Sequence, residues 1–307
     1  MGVLLLGAGG YLGSVLKSKL SSAGYDTTCP SREECDLTKG DSLVEFLRQN
    51  KKFNFVINCA VFQKTGDNLI INSNEILLQN TLMNSTFAKA ILSKEFDFHF
   101  ITIGASCAYS EFKGNPNYLL GELHESVKCF AAPKRNLVEM LHICDPMMTR
   151  WSLVIPGTLV GPGEQLDSRK KHFFNGALFR AAMSKLKDKE KFEIFGEMSA
   201  VRDLSLVDNV ASEIIDILCS DKFGIIDLIP DFRITVGQLY ESIGASIIDL
   251  DRDMFKETEF KAQSKKVTSV GVKKNLVGTD VLSDSQFRKL ISKTYKYYAD
   301  NINKDEK

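Results

Sequence analysis

The segment Gly7-Ala8-Gly9-Gly10-Tyr11-Leu12-Gly13 follows a short apolar run and opens a helical pattern. Its glycines permit a tight turn, close approach of the main chain to a pyrophosphate and close packing of helix on strand, while the first helical N–H groups can bind an anion. Gly7, Gly10, Tyr11, Leu12 and Gly13 are therefore candidate dinucleotide ligands. After the second strand pattern, where an NAD site carries an acidic residue for the adenosine ribose, the chain reads Pro30-Ser31-Arg32. A hydroxyl and a guanidinium suit a 2′-phosphate, which favours NADP over NAD; the alternative is that Arg32 is a solvated loop charge. The cysteines Cys29, Cys35, Cys59, Cys107, Cys129, Cys144 and Cys219 form no CxxC pair and no cysteine–histidine cluster of zinc spacing. No metal site is expected, and such thiol usage points to a reducing, cytoplasmic compartment.

These groups need a scaffold. Apolar runs at 3–6, 27–29, 53–59, 98–103 and 153–155 alternate with helical spacings at 11–23, 41–49, 72–93 and 126–143. The alternation predicts βαβ units and an α/β fold, a Rossmann-type doubly wound parallel sheet. Beyond Gly161 the rhythm loosens, with helices expected near 173–186, 207–219 and 236–244 and strands near 192–195 and 225–229. Phe287, Leu290, Ile291, Tyr295 and Tyr298 recur at helical spacing and predict a last docked helix from Ser283. The expected organisation is a dinucleotide-binding domain over 1–160, a smaller substrate lobe over 161–300 intertwined with it at the carboxyl edge of the sheet, and a polar tail over 301–307. Trp151, at the start of a strand pattern, is expected in the core.

The 39 Lys and Arg balance the 39 Asp and Glu of this 307-residue chain. A formal net charge of zero lacks the basic footprint of a duplex-binding protein, so no nucleic-acid partner is expected. The apolar start ends in glycines far short of the ~18 residues that span a bilayer and lacks a basic leader region. The Met-Gly start lacks the hydroxyl residue of a myristoylation signal, so no membrane partner is expected either.

Further segments fall in a recognisable order: Gly7 to Gly13; Asp36-Leu37-Thr38; Asn58-Cys59-Ala60; Pro156-Gly157-Thr158-Leu159-Val160-Gly161-Pro162-Gly163; and Arg202-Asp203-Leu204-Ser205-Leu206-Val207-Asp208-Asn209-Val210-Ala211. Together they resemble the extended short-chain dehydrogenase/reductases, the NAD-dependent epimerase/dehydratase family, which bind NAD(P) in an N-terminal domain and a nucleotide sugar in a C-terminal lobe. The resemblance implies that Asp36, Leu37 and Ala60 line the cofactor and that Arg202 grips the substrate diphosphate, a task suited to a planar guanidinium. The alternative for Arg202 is an exposed pair with Asp203; Lys170 and Lys171 either add positive potential there or are solvated. Within the family, Gly104-Ala105-Ser106-Cys107-Ala108-Tyr109 resembles the Gly-Ser-Ser-Cys-Ile-Tyr stretch of the GDP-4-keto-6-deoxymannose epimerase/reductases, and His172 stands at their spacing after Gly161-Pro162. That implies Cys107 and His172 as base and acid of an epimerase, a nucleotide-sugar substrate that is GDP-linked in that branch, and a homodimer through the helices of 72–93 and 126–143. A 4-keto group acidifies the neighbouring C–H bonds, so a base on one face and an acid on the other can invert a centre through an enolate. A thiol and an imidazole exchange protons near neutral pH when the site tunes them; the bland alternatives are a small apolar filler and a surface histidine.

The chain departs from the family at its hydride machinery. Where the family carries Tyr and Lys four apart, this chain reads Phe130-Ala131-Ala132-Pro133-Lys134, and the Ser or Thr position is Ala105. Losing a positioned acid/base costs about 10²–10⁴ in rate. Lys134 remains as a catalytic-site lysine and ribose anchor, and Ser106 and Phe130 are expected against the substrate. Ser106 is a poor stand-in, because a one-residue shift after a strand turns a side chain to the other side. Three readings stay open: an epimerase using Cys107 and His172 with a structural cofactor, an NADPH-dependent keto-sugar reductase/epimerase recruiting Ser106, Cys107 or a water, and a catalytically inactive dinucleotide-binding regulatory subunit.

Overall fold

The structure, a computed structural model, describes residues 1–50, 52–64, 67–109, 119–144, 150–164, 173–186, 192–193, 197–247, 255–256, 276–277 and 283–305. Strand β1 (Gly2–Leu6) buries Val3, Leu4, Leu5 and Leu6, as a strand covered on both faces of a parallel sheet must. Helix α1 (Tyr11–Ser22) buries Leu12, Leu16 and Leu20, four apart on one stripe. Then come β2 (Asp26–Thr28), α2 (Ser42–Gln49), β3 (Phe55–Asn58), α3 (Asp67–Ile71), α4 (Ser73–Leu92) and β4 (His99–Ile103). Two single 3₁₀ turns, Ser106–Ala108 and Glu125–Val127, precede α5 (Lys128–Cys144), β5 (Arg150–Ile155) and β6 (Thr158–Val160). The chain continues as α6 (Phe173–Leu186), β7 (Phe192–Glu193), β8 (Val201–Leu206), α7 (Val207–Leu218) and β9 (Gly224–Leu228). It ends with β10 (Phe232–Thr235), α8 (Val236–Ile247), β11 (Phe255–Lys256), β12 (Leu276–Val277) and α9 (Asp284–Asp305).

The main sheet runs β12-β9-β5-β4-β3-β1-β2 and its neighbours pair in parallel. β2 lies on one side of β1 and β3 on the other, so the winding reverses at β1 and the carboxyl ends of β1 and β3 flank a ligand crevice. The doubly wound architecture is the one the alternating pattern predicts.

The chain groups into two compact units. The first holds Met1–Pro156, Asp208–Leu228 and Val270–Gly278, so it takes back α7 and β9 from the region assigned to the second lobe by a division at residue 160. The reason is non-local pairing: β9 adds in parallel to β5, from Ser152↔Gly224 to Ile155↔Asp227. Leu4, Leu6, Val56, Phe87, Phe100 and Leu153 meet in this unit's core, and Trp151 is buried with them.

The second unit holds Gly157–Val207, Ile229–Ser269 and Thr279–Lys307. Its sheet runs β10-β8-β6, with β8 antiparallel to β10 and parallel to β6. Helices α6, α8 and α9 enclose Phe174, Leu178, Leu239, Tyr240, Phe287 and Ile291. Helix α9 runs to Asp305 and buries Ile302 one turn beyond Tyr298, so the packed stripe enters the stretch expected to be a polar tail. No helix among the described residues is long and apolar enough to cross a membrane.

Candidate functional site

The turn after β1 is built so that main chain meets main chain. Gly7 has φ +77°, and a Cβ there would lie 2.5 Å from the Ala60 amide nitrogen; one at Gly13 would lie 2.1 Å from the Gly7 carbonyl oxygen. The Gly10 N–H donates to the Gly7 carbonyl at 3.0 Å and closes the turn. Gly10 caps α1 without a side chain, no acidic residue stands in the first turn, and a Cβ on Gly9 would meet nothing within 4 Å. Main-chain donors at the positive end of a helix, no competing carboxylate and open space at Gly9 together fit a pyrophosphate. Ala60 is fixed by its own N–H, which donates to Asn58 Oδ1 at 3.0 Å, while Asn58 Nδ2 donates to Thr102 Oγ1 at 3.2 Å and ties the end of β3 to β4.

After β2, Ser31 is more occupied than its sequence position suggests. Its N–H donates to Glu34 Oε2 at 2.7 Å and its hydroxyl accepts from the Glu34 N–H at 3.3 Å, a reciprocal capping arrangement. Arg32 is exposed, with Nε 3.5 Å from Asp36 Oδ1, and is the group here that can turn to a 2′-phosphate. Asp36 accepts from the Thr38 hydroxyl at 2.7 Å and amide at 3.1 Å; these bonds, with Arg32, hold its carboxyl below the usual range. Leu37 beside it is buried.

The carboxyl end of β4 leads into the segment that bears Ser106 and Cys107. Ser106, Cys107 and Ala108 form a 3₁₀ turn rather than a strand continuation, so strand alternation does not decide where Ser106 points; the turn's own threefold geometry does. Cys107 is half-buried against the first unit's core, and removal from water pushes its thiol up to about 11, with Lys134 countering in part. This shift runs away from neutral pH, opposite to the tuning that would make Cys107 a ready base. Lys134 donates to the Ile103 carbonyl at 2.8 Å, and its ammonium lies 5.9 Å from the centre of the Phe130 ring. Burial presses Lys134 down to about 8, with Cys107 and Cys59 acting the other way. Beside it Asn58, Asn80, Asn84 and Lys134 border a cavity of about 10 Å³, close to the least volume that holds one water.

Two features here escaped the sequence reading. Arg135, next to Lys134, donates to the carbonyls of Ala108, Gly121 and Leu120, and Tyr109 donates its phenol hydrogen to the buried Asp227 carboxylate on β9. Asp227 did leave a signal, as the one charge in the apolar strand Gly-Ile-Ile-Asp-Leu. Arg135 left none beyond an ordinary helix charge.

In the second unit, Arg202 on β8 is half-buried, donates to the Val201 carbonyl at 2.9 Å and lies over the Phe173 ring at 5.9 Å from its centre. Burial presses its pKa down. Asp203 has Arg233 as its ion-pair partner across the β8–β10 pair, at 3.5 Å. His172, Lys170 and Lys171 lie outside the described residues. No cluster of three or more metal-ligating side chains occurs among the described residues.

Comparison with known proteins agrees with this fold. The sequence pattern of the NAD dependent epimerase/dehydratase family matches residues 3–224. A GDP-L-colitose synthase of Yersinia pseudotuberculosis is 24% identical over 320 aligned positions, covering 99% of this chain and 100% of that protein. A GDP-L-fucose synthase of Sinorhizobium fredii is 20% identical over 226 positions, 70% of each chain. Among solved structures, a GDP-L-fucose synthetase from Naegleria fowleri bound to NADP superimposes with a TM-score of 0.79 at 15% identity, covering 98% of this chain and 93% of that one.

Proposed function

Because the chain belongs to the NAD dependent epimerase/dehydratase family, we propose that it holds NADP or NAD on the Gly7 to Gly13 turn and epimerises a nucleotide-linked 4-keto sugar by proton transfer. The observation that carries the reading is a combination at one place. The cofactor turn and the Cys107 turn lie at the carboxyl ends of β1 and β4, which flank β3 in one sheet, while the hydroxyls for hydride chemistry are replaced by Ala105 and Phe130. A bound nicotinamide dinucleotide supplies hydride chemistry in general. Here the chain's own contribution is to bind it, with Gly7, Gly10, Tyr11, Leu12 and Gly13 at the pyrophosphate, Arg32 and Ser31 at a 2′-phosphate, Asp36, Leu37 and Ala60 at the adenosine side, and Lys134 at the nicotinamide ribose.

On the raised pKa of the Cys107 thiol we infer roles opposite to those implied by the family resemblance. A thiol pushed up to about 11 donates rather than abstracts at neutral pH, so His172 is the base that removes the proton beside the carbonyl and Cys107 returns one on the opposite face. Arg202, lying over the Phe173 ring, holds the diphosphate, and Ser106 and Phe130 contact the sugar. GDP-sugar enzymes among the relatives support a GDP-linked substrate. The free thiols suit the cytoplasm, and exposed Leu78 and Leu82, four apart on α4, suit a homodimer.

Incubation of the protein with a GDP-4-keto-6-deoxy sugar in deuterated water tests the reading. Deuterium is expected at C3 or C5; none at either, with the protein folded and cofactor bound, sinks it. A second reading also draws on the protonated thiol, with Cys107 as proton donor for reduction of the same carbonyl by NADPH. It predicts loss of nicotinamide absorbance on mixing, and a flat trace at high enzyme excludes it.

A further inference from the structure

We propose that Arg135 is a positioning residue that sets the direction of the Cys107 thiol by holding the exit of the 3₁₀ turn. The inference rests on the reading of Cys107 as proton donor and adds a residue to it. Its ground is a single guanidinium bonded to three carbonyls. Arg135 Nε donates to Ala108 at 2.7 Å, Nη1 to Gly121 at 2.6 Å and Nη2 to Leu120 at 3.3 Å.

The turn has little to hold itself. Its internal bonds run from the Ala108 N–H to the Ala105 carbonyl at 3.0 Å and from the Tyr109 N–H to the Ser106 carbonyl at 3.2 Å. A lone 3₁₀ turn is marginal without outside contacts, so those contacts decide its geometry. They come from adjacent residues of one helix: Lys134 takes the Ile103 carbonyl before the segment, and Arg135 takes the Ala108 carbonyl just after Cys107. The bond from Tyr109 to Asp227 secures the same exit against β9. Rotating the Ala108 peptide rotates the residue before it, and proton transfer to carbon is sensitive to displacements of a fraction of an ångström to one ångström. Lysine is only a partial substitute, because an ammonium at the end of a flexible stem lacks the fixed planar fork of donors that a guanidinium presents.

The full-length protein with bound cofactor is compared as wild type, Arg135→Gln, Arg135→Lys and Cys107→Ser. Deuterium incorporation is measured, and iodoacetamide labelling of Cys107 is followed on its own peptide and normalised to the exposed Cys219. Arg135→Gln is expected to lower kcat for exchange at least tenfold with KM within about threefold, and to change the Cys107 labelling ratio at least fivefold. Arg135→Lys, keeping charge and stem, recovers part of both. A folded Arg135→Gln with unchanged kcat and labelling overturns the proposal. Should that variant fail to fold, Arg135→Lys carries the same readings with about threefold changes expected, and no change there overturns it. Full exchange in Cys107→Ser removes the proton-donor reading instead, while the labelling ratio still reports on Arg135.

Discussion

The Lys134 ammonium lies 5.9 Å from the centre of the Phe130 ring one turn back on α5, so the lysine faces an aromatic plane with no hydroxyl to polarise. A phenol at 130 would come under that ammonium and have its pKa lowered. Ala105→Ser combined with Phe130→Tyr is expected to raise hydride transfer from NADPH to a keto-sugar nucleotide by about 10²–10⁴. Nicotinamide absorbance reads the outcome directly, and no gain in a variant that still binds NADPH would mean that the missing hydroxyls are not what limits redox chemistry here.

Lys134 also predicts a pH dependence of stability. Its folded value of about 8 lies below the ordinary 10.5, so between those values the unfolded chain binds more protons and this group's contribution to stability rises with pH. Below about 8 the buried ammonium exerts its full penalty, at most about 3 kcal/mol. Cys107 and Cys59, raised from 9.0 to about 11 and about 12, act oppositely: their contribution falls as pH rises through those windows. Denaturant titrations of wild type and Lys134→Met from pH 7 to 9, below the cysteine windows, read mainly the lysine. The difference, wild type minus variant, is expected to climb with pH, and a flat difference would show that the ammonium keeps its water.

Much of this arrangement can be read along the chain. Leu12, Leu16 and Leu20 mark α1 by their spacing, and the glycines between β1 and α1 mark the cofactor turn, because both signals are local. What escaped depends on contacts distant in sequence. The run Gly224–Leu228 reads as a strand, yet nothing in it says that it pairs with β5 rather than within the second unit. The 3₁₀ turn at Ser106–Ala108 takes carbonyl contacts from α5, and burial raises the Cys107 thiol, neither of which residue types disclose.

The proposed preference for NADP rests on Arg32. Since the capping bonds with Glu34 engage Ser31, the exposed Arg32 guanidinium is the main attraction for a 2′-phosphate. A charge-assisted bond of this kind is worth about 1.5–3 kcal/mol. Arg32→Ala should weaken NADPH binding about 10- to 100-fold by fluorescence titration and leave NADH nearly unchanged. Equal effects on both dinucleotides would place Arg32 away from the 2′ position.

The outer face of α4 predicts the assembly. Leu78 and Leu82 are 55% and 37% exposed, and Ile70 and Ile71 on α3 add apolar surface at 56% and 76%. A second copy of the same face would cover them with matching side chains. Sedimentation should show a dimer for the wild type and a monomer for Leu78→Glu combined with Leu82→Glu. A wild-type monomer at micromolar concentration would sink the proposal.

The glycine turn separates packing from ligand approach, and two alanines distinguish them. At Gly13 a Cβ would sit 2.1 Å from the Gly7 carbonyl oxygen and 2.9 Å from Ala8 Cα, both main-chain atoms, so α1 must move off the turn. Gly13→Ala should therefore cost about 1–3 kcal/mol or more of stability and abolish NADPH binding together. At Gly9 the same Cβ meets nothing within 4 Å. Gly9→Ala should fold as well as the wild type, gaining up to about 1 kcal/mol from the stiffer unfolded chain, yet bind NADPH at least tenfold more weakly because the methyl group occupies the approach to the pyrophosphate. Calorimetric unfolding and NADPH titration on the two variants read both effects. Were Gly9→Ala to bind NADPH as tightly as the wild type, the pyrophosphate would not lie against Gly9, and the cradle would reduce to a packing device between α1 and β3.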